Sequence, residues 1–304
     1  MAKASFNIAG VDAAPGQRKA RVLDLSFAGA PIKLPLFVLN GAHEGRSLLV
    51  TAGIHGAEYV GIEAAYRLAR QTEPGTLHGQ LVVAPIASLN AFARCFPGDP
   101  NGTFAEQLAH WIYQNLIRRA DFYLDLHGGD LNEALVPFSI VRRTGNAALD
   151  SDALALASAF GLPNVITSVV QGGTYAAAAQ AGIPAVLAEV GGQGLWPEDN
   201  VQQMYDGLQR ALTHVGLSQQ GAPPAAETPR LLEEMTWLRS QHDGMFYPEV
   251  TVGDQVKAGQ ALGRVADYLG ETAQPVVAPT SGVVLFVVTT LAMNNGDPLL
   301  AIGA

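Results

Sequence analysis

The chain has 304 residues, with 18 Lys and Arg against 27 Asp and Glu, giving a formal net charge of −9; that balance disfavours nucleic acid and anionic membranes as partners. A 48% hydrophobic content with 33 glycines fits a globular α/β protein long enough for two domains. The single cysteine, Cys95, excludes an internal disulfide, and no stretch approaches the roughly 18–20 apolar residues that span a bilayer.

The amino terminus, Met1-Ala2-Lys3-Ala4-Ser5-Phe6, lacks the apolar core of a signal peptide, so the expectation is a cytoplasmic protein. Residues 21–27 and 32–39 predict antiparallel strands at a sheet edge. Strand and helix then alternate. The apolar run 48–52 predicts a buried strand broken at Gly53, and 57–71 a helix. A strand at 80–85 is followed by a helix from 103 to about 119, opened by the capping-box pattern Thr103-Phe104-Ala105-Glu106. Strands at 122–126, 138–141, 164–170 and 185–190 are separated by helices at 147–160 and 175–181, and a last helix spans 201–215. This alternation predicts an α/β fold: a mixed, mostly parallel sheet with helices on both faces.

The composition changes at 218–230, which is rich in Gln, Pro and Ala and predicts a linker. Beyond it lie short β-type segments at 245–247, 255–256, 262–265, 276–278, 283–289 and 299–302, with no helical period. The expected division is a catalytic domain over 1–220 and a linker plus small all-β domain over 221–304.

His55 and Glu58 fall in the turn after the 48–52 strand, at the end of a strand where α/β sheets bind ligands. An imidazole and a carboxylate so placed can hold a divalent metal if a third ligand arrives. Among the other histidines, His43 and His78 read as polar turns, His242 as part of the linker-to-barrel region, and His110 and His214 as structural helix residues. His127 follows the apolar strand Tyr123-Leu124-Asp125-Leu126 and precedes two glycines, so it too sits at a strand end. Asp125, two residues earlier on the same side of the strand, could orient an imidazole; the alternative is a turn carboxylate. Glu189 ends the strand Ala185-Val186-Leu187-Ala188. Burying it costs several kcal/mol unless it is paired or used, so it reads as a general base over a metal-bound water or as a salt-bridged structural carboxylate. Two His, one Glu and one further carboxylate suit a single zinc ion per chain.

The motifs Gly53-Ile54-His55-Gly56-Ala57-Glu58, Asp125-Leu126-His127-Gly128-Gly129 and Ala188-Glu189-Val190-Gly191-Gly192 occur in that order. They resemble the succinylglutamate desuccinylase/aspartoacylase family of zinc hydrolases with a carboxypeptidase-like catalytic domain. The resemblance covers most of the chain from about residue 45. It implies His55, Glu58 and His127 as zinc ligands, and Glu189 as the residue that activates water and protonates the leaving amine. It implies hydrolysis of an N-acyl amino acid, a small-molecule substrate. The family's Asn-Arg pair before Phe-Pro-Gly is only partly matched: Arg94 stands at the arginine, Ala93 replaces the asparagine, and Asn90 matches an earlier family asparagine. Arg94 is the candidate for polarising the carbonyl or binding a carboxylate, with a plain surface arginine as the alternative. The segment 89–99 is shorter than the family's.

The C-terminal segments Gly253-Asp254-Gln255-Val256 and Ala278-Pro279-Thr280-Ser281-Gly282 resemble the flattened barrel of biotinyl and lipoyl carriers. No lysine occurs from 264 to 280, so covalent cofactor attachment is rejected. The barrel would be a wall near the site or a contact in a homo-oligomer. Two alternatives to the deacylase remain, a metallocarboxypeptidase acting on peptide C-termini and a non-catalytic metal-binding protein. No G-x-S-x-G, P-loop or G-x-G-x-x-G occurs.

Overall fold

A computed structural model describes residues 3–87, 96–225 and 227–304. A small hairpin, β1 (Phe6–Ile8) and β2 (Val11–Ala13), is followed by two long strands, β3 (Gln17–Phe27) and β4 (Ala30–Asn40). Strand β5 (His43–Ala52) leads into α1 (Tyr59–Gln71), and β6 (His78–Ala84) precedes α2 (Phe104–Asn115). Next come β7 (Phe122–His127), β8 (Glu133–Leu135), β9 (Phe138–Arg142) and α3 (Ala147–Phe160). Strand β10 (Asn164–Ser168), α4 (Thr174–Gln180), β11 (Ala185–Glu189) and α5 (Glu198–His214) complete the alternating part. The C-terminal part contains β12 (Arg230–Leu232), β13 (Met235–Arg239), β14 (Gly244–Pro248), β15 (Gln255–Val256) and β16 (Ala261–Ala266). It ends with β17 (Thr272–Val277), β18 (Gly282–Val288), β19 (Ala292–Met293) and β20 (Pro298–Gly303).

Nine strands form one sheet in the order β12-β10-β9-β11-β7-β5-β6-β4-β3. Its centre, β11-β7-β5-β6, is parallel, while β9 meets β11, and β4 meets β6 and β3, in antiparallel pairings. The central strands are continuous apolar runs because both faces are covered. On one face Val60, Ala64 and Leu68 of α1 pack with Leu156 and Phe160 of α3 and Met204 and Leu208 of α5. On the other, Leu108 and Ile112 of α2, Tyr175 and Ala178 of α4 and the β1–β2 hairpin cover Leu49, Val82 and Tyr123. The predicted mixed α/β sheet with helices on both faces is therefore present. The capping box at the start of α2 is formed, with Glu106 N–H donating to Thr103 Oγ1 and Thr103 N–H to Glu106 Oε2.

In the C-terminal part, β13-β20-β18-β15 and β17-β16-β14-β19 make two antiparallel sheets around Phe246, Leu262, Val265, Val284, Leu300 and Ile302. Strands cross the boundary expected near residue 220 in both directions. β12 adds to the edge of the large sheet beside β10, and β8 pairs antiparallel with β18. Phe138, Ile166, Leu232, Val283 and Leu285 form a small apolar cluster at this junction.

Several local expectations shift. His43 and His78 do not lie in polar turns: they open β5 and β6, are register partners, and stack with ring centroids 4.4 Å apart. The helix expected from 103 to about 119 ends at Asn115, and Ile117–Arg119 is a 3-10 turn. β10 stops at Ser168 because its neighbours β9 and β12 end there or earlier, leaving Val169 and Val170 exposed. No helix among the described residues is long and apolar enough to cross a membrane.

Candidate metal centre

Parallel register puts the polar groups of three central strands on one face. Glu189 of β11 is the register partner of His127 in β7, and Thr51 of β5 that of Asp125. Paired residues of parallel strands share a face, and so do residues two apart in one strand. Tyr123, Asp125, His127, Thr51 and Glu189 thus line the α2–α4 side, with Thr51, His127 and Glu189 at or next to the carboxyl ends of β5, β7 and β11.

His55 and Glu58 come from the turn between β5 and α1. The helix starts at Tyr59, two residues later than expected, with Glu58 at its N-cap position but making no capping hydrogen bond. Its carboxylate turns to the imidazoles instead. Glu58 Oε1 lies 2.5 Å from His55 Nδ1 and Oε2 lies 3.0 Å from His127 Nδ1. One donor atom from each of His55, Glu58 and His127 falls within 4.8 Å of the others. Glu58 and His127 are buried, while His55 is half-exposed and opens the group to solvent.

Behind this group His127 Nε2 donates to Asp125 Oδ2 at 2.9 Å. Thr51 Oγ1 donates to Asp125 Oδ1 at 2.6 Å, Thr174 Oγ1 donates to Oδ2, and the Tyr123 hydroxyl bonds Thr51 Oγ1 at 2.6 Å. Asp125 is fully buried, and these donors offset the cost of its desolvation. Burial lifts its carboxyl pKa, but the His127 charge and the hydroxyl bonds outweigh that and hold it below the ordinary range. Burial pulls His127 down, yet Asp125 and Glu58 on its two sides raise it well above the ordinary imidazole value.

This donor set fits a divalent cation. Two Nδ1 atoms and a carboxylate converge, and the buried Glu58 Oε2 has no aligned hydrogen-bond donor. With Nε2 committed to Asp125, a His127 that gives up its second proton presents Nδ1 as a ligand, the carboxylate–histidine–metal arrangement. His55, Glu58 and His127 could hold the ion, and two imidazoles with one carboxylate suit zinc.

Glu189 stands beside the group. Its Oε2 is buried without a hydrogen-bond partner. Burial pushes its carboxyl pKa well above the usual range; His127 counteracts this, while Glu58, Glu133 and Asp125 reinforce it. A carboxyl so poised can take and return a proton. Of the residues expected from sequence, His55, Glu58, His127, Asp125 and Glu189 are brought together. Arg94 and Asn90, like Cys95, lie outside the described residues.

Other groups here were not singled out from sequence. Thr51 and Tyr123 had a signal: one is the hydroxyl in an apolar run, the other continues the period-two series with Asp125 and His127. Glu133 had none, because only the β8–β18 pairing places it. At the rim, Tyr59 and Trp196 meet edge-on with centroids 5.3 Å apart, and Leu131, exposed beside them, comes from the loop after His127.

The model of the succinylglutamate desuccinylase/aspartoacylase catalytic domain matches residues 44–215. An N-alpha-acetyl-L-2,4-diaminobutyric acid deacetylase of Halomonas elongata is 28% identical over 302 residues, covering 92% of this chain and 87% of that one. The product-bound structure of the ectoine utilization protein EutE (DoeB) from Ruegeria pomeroyi is 26% identical, with a TM-score of 0.84, over 94% of this chain and 95% of that one. A succinylglutamate desuccinylase/aspartoacylase structure from Rhodobacter sphaeroides is 25% identical, with a TM-score of 0.84 and coverage of 94% and 95%.

Proposed function

The chain belongs to the succinylglutamate desuccinylase/aspartoacylase family, and from that premise we propose that it is a zinc-dependent hydrolase of the amide bond in a small N-acyl amino acid. The observation that carries this reading is the convergence of His55, Glu58 and His127, with Asp125 behind His127 and Glu189 beside it in register. The similarity to the Halomonas deacetylase supports an acetyl group as the acyl half and a diamino acid as the amine half.

A divalent ion held by the three ligands supplies Lewis acidity, lowering the pKa of water and polarising a carbonyl. Asp125 fixes the proton on His127 Nε2 and so keeps Nδ1 free as a ligand. Glu189 accepts a proton from the attacking water as its oxygen bonds to the acyl carbon. It then delivers that proton to the amide nitrogen as the C–N bond breaks, giving a carboxylate and a free amine. The raised carboxyl pKa of Glu189 suits that double duty, since a carboxyl lifted above its ordinary range takes up a proton more readily and can pass it on. Burial of Asp125 and His127 keeps bulk water from competing for their hydrogen bonds.

The test is a panel of N-acetyl and N-succinyl amino acids offered to the zinc-loaded protein, with amine release read by mass spectrometry. Release from an N-acyl amino acid supports the reading. Removal of C-terminal residues from peptides, with no N-acyl amino acid cleaved, replaces it by the carboxypeptidase alternative.

A further inference from the structure

We propose that Glu133 recognises a positively charged ammonium on the amine half of the substrate, making the site selective for diamino acids over neutral ones. The inference rests on the deacylase reading above and adds a specificity-determining residue to it.

Glu133 is held at the joint between the two strand ends that carry His127 and Glu189. It is the register partner of Val288 in β18, its N–H donates to Asp130 O at 3.1 Å, and its carbonyl accepts from Gln193 N–H at 3.1 Å. The two loops close on that carbonyl only because glycines face it. A Cβ at Gly129 would come within 2.6 Å of Glu133 O, and one at Gly192 within 2.3 Å. The side chain is half-buried and accepts one hydrogen bond, from Asp130 N–H to Oε2 at 3.0 Å. Among the described residues no Lys, Arg or His forms an ion pair with it.

Its electrostatic neighbours are the site itself. Burial raises the Glu133 carboxyl pKa, the Asp130 N–H bond lowers it, Asp130 and Glu58 push it up further, and His55 pulls it back. The carboxyl groups of Glu58, Asp125, Glu133 and Glu189 gather at the site, and among the described residues no Lys or Arg forms an ion pair with any of them. The buried Oε2 atoms of Glu58 and Glu189 also lack hydrogen-bond partners. A site left negative at its mouth favours a substrate that brings a cation there. The apolar rim of Tyr59, Leu131 and Trp196 offers contact for the methylene arm of such a substrate.

The experiment compares two isosteres, N-acetyl-2,4-diaminobutyrate and N-acetylnorvaline, whose side chains differ by an ammonium in place of a methyl. The zinc-loaded protein should prefer the ammonium substrate in kcat/KM by about 10–100-fold, the value of a charge-assisted contact, mostly through KM. Glu133→Gln should cut that ratio at least tenfold, and Glu133→Asp should retain part of it. If the wild-type protein cleaves both within about threefold, the inference is overturned and the deacylase reading stands. If it cleaves neither, the acetyl group proposed as the acyl half falls, and the panel above decides the deacylase reading. Calorimetric binding of 2,4-diaminobutyrate against norvaline then decides Glu133 alone: a preference lost in Glu133→Gln supports it, and equal binding overturns it. Should Glu133→Gln not fold, Glu133→Asp takes its place: a reduced ratio supports the inference and an unchanged one overturns it.

Discussion

Replacing Asp125 by asparagine isolates the support of the metal group from the group itself. The carboxylate accepts from His127 Nε2, Thr51 Oγ1 and Thr174 Oγ1, all buried. Asparagine keeps the shape but offers one acceptor oxygen and turns an NH2 toward a group that now donates. Its oxygen can stay on the His127 side, forcing Thr51 to accept rather than donate. The bond to His127 then survives without its charge. Loss of a charge-assisted bond costs roughly 1.5–3 kcal/mol. Loss of an outer partner of a metal ligand weakens metal binding by about 10–100-fold. Since a factor of ten is about 1.4 kcal/mol, the two routes agree. Competition with a chromophoric chelator gives zinc affinity for both proteins, and thermal melts of the metal-free forms check that the fold persists. A zinc affinity within about threefold of wild type would refute the role assigned to Asp125.

Glu189→Gln should lower kcat by about 10²–10⁴ while zinc stays bound, since it removes the proton carrier but no ligand; unchanged turnover would sink the proposed base. The same variant should melt no lower than wild type in the metal-free state, because it replaces a buried carboxyl whose charged form is disfavoured by burial and by Glu58, Glu133 and Asp125. Gly192→Ala should destabilise by about 1–3 kcal/mol, read in urea, because its Cβ would sit 2.3 Å from Glu133 O. Asp150 gives a pH test. Burial raises its carboxyl pKa, but bonds from Thr144 N–H, Thr144 Oγ1 and Gly145 N–H hold it below the ordinary range. Its contribution is therefore present above the unfolded value and lost as pH falls through the folded one. Asp150→Asn should cost about 1 kcal/mol or less at pH 7, after allowing for solvent screening, and the gap should close in strong acid. A gap that persists there would contradict the assignment.

The central strands were legible because each is an apolar run long enough to be buried on both faces, and the candidate metal ligands because each follows such a run at a strand end. His127 and Glu189 illustrate this: neither position depends on a long-range contact that sequence hides. The start of α1 was not legible to the residue, since Glu58 has the composition of a first helical turn and leaves it for the imidazoles. Strands of two or three residues, such as β8 and β12, carry too little pattern to read. They exist because β18 and β10 offer them an edge. Glu133 was invisible for the same reason. The histidines at 43 and 78 looked like turn residues from their polar neighbours, but the ladder between β5 and β6 makes them partners. The substrate contacts expected at Asn90 and Arg94 fall outside the described residues.

The most direct measurement is a zinc titration of the metal-free protein with hydrolysis of an N-acyl amino acid as the readout. Activity should be absent without metal, rise linearly and break at one equivalent of zinc per chain, and His127→Ala should show neither the break nor the activity. Turnover that survives complete metal removal, or full activity in His127→Ala, would contradict the account.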